Sequence, residues 1–375
     1  MKIKTIEPTP SPNTMKLILD ENLPQGTRNN YTKDNKEEAP SYIQQLFGIE
    51  GIKGVYHVAD FLALERNAKV DWKVILPQVR EVFGEASSVD NFQHQQQDNA
   101  FGEVKVFFQM FKGIPMQIKV SDGEREERIG LPDYFKEATF KVQQADDNVV
   151  LERKWVEQDI RYGDVQEVGR EVAEEITAAY SKERIEALVN EVVGSSSQQK
   201  TLNPVFQKIT FEMLEDPDWK KRYAALDRID PSEDDIPVLA KALEDEKASI
   251  RRLATVYLGM IETLNVLPYL YQALQDNSVT VRRTAGDCLS DIGNSDAIPV
   301  MIEALKDPNK LVRWRAAMFL YEVGDEAALD ALKEAENDPE FEVSMQIKMA
   351  IERIETGEEA KGSVWKQMTE ARKDK

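Results

Sequence analysis

One aspartate, returning at a fixed interval, constrains the second half of this chain more than any other feature. Asp245, Asp276, Asp307 and Asp338 stand 31 residues apart. Five positions after each comes an aliphatic residue, Ile250, Val281, Val312 or Val343, followed in the first three units by Arg251, Arg282 or Arg313. Ala254, Ala285 and Ala316 hold the same phase, as do Leu258, Leu289, Leu320 and Ile351. Pro237, Pro268 and Pro299 recur in the same register. A fixed period of this length calls for stacked helical repeats.

Each unit reads as two short helices. Val281, Ala285, Leu289 and Ile292 lie at helical spacing, with Asp276 or Ser278 placed to cap the free N–H groups. Gly293, and Gly324 one period later, are expected to end their helices in the left-handed conformation. A second helix starts near Ala297 and Pro299, where the missing donor of proline costs nothing, and runs through Met301 to Leu305. Neither helix can bury its apolar stripe alone, so neighbouring units must stack.

This pattern resembles the HEAT-like repeats named after phycobilin lyases, over roughly residues 205–355. The resemblance implies that each Asp bonds the Arg six positions later along the stack: Asp245 with Arg251, Asp276 with Arg282, Asp307 with Arg313. The outer units depart from it. Trp219-Lys220 replaces Val-Arg in the first, and Val343-Ser344 in the last.

The formal charge of −20 argues against a general nucleic-acid or anionic-membrane binder and leaves only a local basic stripe open. The single cysteine, Cys288, forbids an internal disulfide framework. The N-terminus lacks the apolar core of a signal peptide, and no stretch is apolar enough to span a membrane. A soluble cytoplasmic protein is expected.

Residues 1–87 read as a small α+β module. Strands are expected at 3–6 and 15–19, a polar loop after them, and a helix from Ser41 to Phe47. A hairpin follows, with Val55–Val58 and Phe61–Leu64 turning at Ala59-Asp60, then a helix from Asp71-Trp72. The order Thr9-Pro10-Ser11-Pro12-Asn13-Thr14-Met15-Lys16, Leu46-Phe47-Gly48-Ile49-Glu50-Gly51-Ile52, Val55-Tyr56, Asp60-Phe61 and Asp71-Trp72 resembles the N-terminal domain of Nfu iron–sulfur scaffold proteins. That family holds its cluster on a Cys-x-x-Cys pair in another domain. No such pair exists here, so a partner contact, or an accessory part in cluster assembly, is the expected role.

Residues 88–200 open with a glutamine-rich linker and read as a second α+β domain. Strands are expected at 104–110 and 115–120, a solvated loop over the charge run 122–128, and further strands at 140–142 and 149–151. From Val165 to Val193 the pattern is helical. Three parts in this order, with HEAT-like repeats at 201–355 and a charged tail at 356–375 carrying Trp365, resemble the conserved virulence factor C family of Gram-positive bacteria. The resemblance implies a cytoplasmic protein affecting virulence-related expression. The expected fold is therefore multidomain: two α+β modules followed by an all-α solenoid.

Catalytic and metal chemistry find little support. His57 and His94 lie in different segments, no histidine falls among the repeats, and Cys288 sits where a small core residue belongs. No cofactor or metal is expected. The sharper candidate is a basic stripe of Arg252, Arg283 and Trp314, one position beyond the structural arginines, with Lys221 in the same register, expected to line up along the stack with Arg315 beside them. A non-enzymatic adaptor with an unidentified protein partner is the leading expectation, and a nucleic-acid grip through that stripe is the alternative.

Overall fold

The computed structural model describes residues 2–9, 11, 13–24, 27–67, 69–84, 103–123, 125–144, 147–194 and 206–357. His94, the linker before residue 103 and Trp365 lie outside them. The chain forms two compact units: Met1–Glu103 with Met301–Lys375, and Val104–Val300.

The N-terminal module comprises β1 (Ile3–Pro8), β2 (Thr14–Leu19), β3 (Arg28–Thr32), α1 (Ser41–Phe47), β4 (Ile52–Val58), β5 (Phe61–Arg66) and α2 (Trp72–Val82). Its sheet runs β1-β2-β5-β4-β3, and every neighbouring pair is antiparallel. Met15, Leu17, Leu62 and Leu64 form the buried side, on which α1 lays Ile43 and Leu46 and α2 lays Trp72, Ile75 and Val79. Asp71 starts α2 by accepting the Lys73 N–H at 2.9 Å. The polar stretch expected to be a loop contains β3. Its pairing with β4 supplies the main-chain bonds, and an edge strand needs few apolar side chains.

The middle domain runs β6 (Glu103–Phe111), β7 (Ile114–Ser121), β8 (Glu126–Gly130), α3 (Asp133–Val142), α4 (Val149–Glu152), β9 (Lys154–Tyr162), α5 (Val165–Ala179) and α6 (Lys182–Gly194). The sheet order is β8-β7-β6-β9. Three expectations are corrected. The charge run ends in a strand, β8, because alternate residues of Glu126–Gly130 face solvent at the sheet edge. The segments around 140 and 149 are helical, with Phe135, Ala138 and Val142 buried at helix spacing. β9 was not foreseen, since its exposed residues carry no clean alternation. Val168, Val172 and Ile176 of α5 cover Val104, Val106, Ile118 and Val120.

The repeats supply α7 (Trp219–Leu226), α8 (Ile236–Ala242), α9 (Ala248–Met260), α10 (Leu267–Ala273), α11 (Val279–Ile292), α12 (Ile298–Ala304), α13 (Lys310–Val323), α14 (Leu329–Ala335) and α15 (Phe341–Thr356). Within the second unit α7, α9 and α11 stack in order, with α8 and α10 packed over them. Within the first unit α13 and α14 pack on α15. The in-phase residues Ile250, Ala254, Leu258, Val281, Ala285 and Leu289 are fully buried. Gly293 ends α11 at φ 63, in the left-handed region. Gly324 does not, at φ −59. There a Cβ would stand 2.3 Å from the Leu320 carbonyl oxygen, so close approach rather than handedness calls for glycine.

Candidate functional site

The repeat aspartates share one bond, and three of them carry a second. Their carboxylates accept the N–H two residues on: Asp216 from Asp218, Asp245 from Lys247, Asp276 from Ser278, Asp307 from Asn309 and Asp338 from Glu340, at 2.7–2.9 Å. That bond turns the chain into the next helix. Asp245, Asp276 and Asp338 also receive an arginine fork from the preceding unit. Arg251 reaches Asp276 at 2.6 and 2.8 Å, and Arg313 reaches Asp338 at 2.7 and 3.1 Å.

The expected pairing of Asp and Arg within one unit is therefore corrected. From its own unit each arginine takes the backbone carbonyl: Arg251 bonds Asp245 at 2.8 Å, Arg282 bonds Asp276 at 2.8 Å and Arg313 bonds Asp307 at 2.9 Å. The planar guanidinium spans both because its five donors fan outward. The first unit follows the rule through Arg222, which bonds the Asp216 carbonyl at 2.7 Å and the Asp245 carboxylate at 2.7 and 2.9 Å. Sequence alignment on Trp219-Lys220 missed it. Six positions after Asp216 was the signal that would have found it. In the last unit Ser344 stands in for arginine and bonds the Glu336 carbonyl at 2.7 Å.

The proposed basic stripe is not a surface. Arg252, Arg283 and Trp314 are buried, with side-chain exposure of 11% for Arg252 and 4% for Arg283 and residue exposure of 1% for Trp314. Arg315 is half-buried, its guanidinium 5.4 Å from the Trp314 ring. Lys221 alone is exposed, and it pairs with Asp216 at 3.4 Å. With Arg222 in the structural position, the residue in register with Arg252 and Arg283 is Tyr223, also buried.

What covers this column in the second unit is the middle domain, because α5 packs on α7. Glu175 on α5 accepts from Arg161 of β9 at 2.8 Å and from Arg252 of α9 at 3.3 Å. Desolvation pushes its carboxyl up, but Arg252 and Arg161 outweigh burial and hold it below the ordinary range. The Arg283 guanidinium lies 4.6 Å from the Tyr162 ring and 2.9 Å from Asp287. Alongside, Arg184 bonds Asp227 at 2.9 Å and the Ala179 carbonyl at 2.6 Å. Burial raises Asp227, and burial together with the charge of Glu175 raises Tyr223 and Glu171. A carboxylate gripped by two guanidiniums is a clasp rather than a proton donor.

The first unit has a clasp of the same kind. Arg66 of β5, fully buried, sits 2.9 Å from Glu342 of α15 and 5.2 Å from the Trp72 ring. Its other nitrogens bond the Val70 carbonyl at 3.2 Å and Asn13 at 3.4 Å. Asn13 and Ser11 in turn hold Glu103 at 3.0 and 2.8 Å. Phe341 and Met345 of α15 pack against the core of the module. Burial raises the Glu342 carboxyl against the pull of Arg66.

His57 is buried on β4 with Nδ1 2.9 Å from the Tyr42 hydroxyl, and burial lowers its pKa. Cys288 is half-buried, with Sγ 3.6 Å from the Thr255 carbonyl. Among the described residues no three His, Cys, Asp or Glu side chains gather as metal ligands. No helix there is long and apolar enough to cross a membrane.

Comparison with known proteins matches three parts of the chain to family profiles. The profile of the scaffold protein Nfu/NifU N-terminal family matches residues 3–89, that of the virulence factor family residues 109–189, and that of HEAT repeats residues 208–285 and 267–352. YpgR, an uncharacterized protein of Bacillus subtilis (strain 168), is 65% identical over 100% of this chain and 99% of its own length. The conserved virulence factor C of Staphylococcus haemolyticus (strain JCSC1435) is 49% identical over the whole of both chains. That of Staphylococcus aureus (strain NCTC 8325 / PS 47) is 51% identical over 98% of this chain and 99% of its own.

Proposed function

Because this chain belongs to the conserved virulence factor C family, we propose that it acts as a non-enzymatic cytoplasmic adaptor, influencing virulence-related expression through a protein partner. The observation that carries the reading is that each α+β module is fastened to repeat helices by a buried arginine–carboxylate clasp, Arg66–Glu342 in one unit and Arg252–Glu175 in the other. A clasp of that kind costs desolvation and returns fixed geometry. Fixed geometry is useful to a protein that must present several elements to one partner, and binding then loses little entropy to ordering. Helical repeats suit such a role, since their stacking builds extended surfaces.

Affinity capture from the native cytoplasm by the full chain, with cross-link mapping, tests the adaptor reading. The expected result is a small defined set of proteins cross-linked to the repeats. Capture should drop in a Glu342→Ala variant that loosens the N-terminal module. Recovery of no protein, or turnover of a small molecule by the purified chain, overturns the reading.

A further inference from the structure

The middle sheet has two faces of different character. Val104, Val106, Ile118 and Val120 point to α5, so the alternate residues of β6 and β7 lie on the opposite side. Strand register sets Phe107 beside Lys119 and Lys119 beside Arg128, one row across three strands. β9 adds Trp155 to that row. The Lys119 ammonium stands 4.4 Å from the Phe107 ring centre and 5.0 Å from that of Trp155, and the Arg128 guanidinium lies 5.8 Å from Trp155. Lys105, one step along β6, is exposed, and Arg128 keeps 59% of its side-chain surface. Such a row is not needed to hold the sheet, whose core lies on the other side.

One carboxylate stands between two of these cations. Glu126 is 3.7 Å from Lys119 and 2.9 Å from Arg128. Its own side chain is 44% exposed, so it occupies the place where an external anion would sit between two cations. Two aromatic rings interleaved with cations on an antiparallel sheet offer stacking to bases and charge to phosphates, which is what a single strand presents and a duplex hides.

We propose that this face of the middle sheet binds single-stranded nucleic acid, bases stacking on Phe107 and Trp155 while Lys105, Lys119 and Arg128 meet the phosphates in place of Glu126. The net charge of −20 opposes long-range attraction, so binding depends on these short-range contacts and is strongest at low salt.

Fluorescence anisotropy with the full chain and a labelled single strand of about twelve nucleotides tests this. Binding is expected to favour the single strand over its duplex. Three phosphate contacts predict a log–log salt slope of roughly −2. Phe107→Ala and Trp155→Ala should each weaken binding roughly tenfold, and Arg128→Glu, at an exposed position, should abolish it without affecting folding. Glu126→Gln should tighten it, an effect that general loss of structure cannot mimic. No binding by the wild type at low salt, equal affinity for the duplex, or indifference to Arg128→Glu overturns the proposal. So does displacement of the strand by poly-glutamate of equal charge, which would assign the face to an acidic peptide.

Discussion

Replacing Glu175 by alanine removes the carboxylate that grips both Arg161 and Arg252, and the expected loss is about 3–5 kcal/mol in urea unfolding. Its pH dependence has a definite sign. The folded pKa is held below the unfolded one, so the unfolded chain takes up the proton first as pH falls. The contribution of Glu175 is full above the unfolded value of about 4.3 and is lost as pH drops through the lower folded one. Glu175→Gln should therefore flatten the acid side of the stability profile relative to the wild type. A second residue-scale case is Gly259 of α9, where a Cβ would stand 2.3 Å from Cys288 Sγ and 2.8 Å from its Cβ. Gly259→Ala is expected to cost about 1–3 kcal/mol, measured by thermal unfolding, and Cys288→Gly in the same chain should restore part of it. Neither Glu175 nor Arg283 was legible as buried. A charge on an amphipathic helix reads as surface, and here Glu175 of α5 meets Arg252 of α9 while Arg283 of α11 meets Tyr162 of β9, contacts between elements far apart in sequence.

Between helices, the arginine fork is the repeating joint. Lysine at position 251 carries the charge but cannot span the Asp245 carbonyl and the Asp276 carboxylate together, so Arg251→Lys should cost about 1.5–3 kcal/mol. Double-mutant cycles distinguish the two contacts. Arg251 and Asp276 should show a coupling of roughly 0.5–3 kcal/mol, whereas Arg251 and Asp245, joined through a backbone oxygen and by charge alone, should show a smaller one. The period of 31 residues made the helices and their buried phase readable. It did not reveal which carboxylate each arginine takes, since a spacing of six within a unit and 25 into the next both fit a stack. Elements without a period fared worse. β3 and β8 are polar edge strands held by main-chain bonds, and the apolar run at 149–151 suits a helix turn as well as a strand.

Residues 1–103 form one unit with residues 301–375, and the Arg66–Glu342 clasp is a buried ion pair between these segments. Glu342→Ala strands the Arg66 charge and should cost about 3–5 kcal/mol. Hydrogen exchange should then rise in α2 and α15 together. Arg66→Met with Glu342→Leu, removing both charges, should recover most of the loss. The N-terminal module and the repeats were legible from their motifs, and the middle domain from its strand alternation and its place between them, but no linear spacing links Arg66 to Glu342. That separation also governs how the molecule is made. On a ribosome the N-terminal module emerges before α15 and waits roughly a quarter of a minute to a minute for it to follow. Through that interval Arg66 has no carboxylate from α15, and a chain stopped short of Glu342 never gains one. Closure of this unit thus reports that translation has passed Glu342.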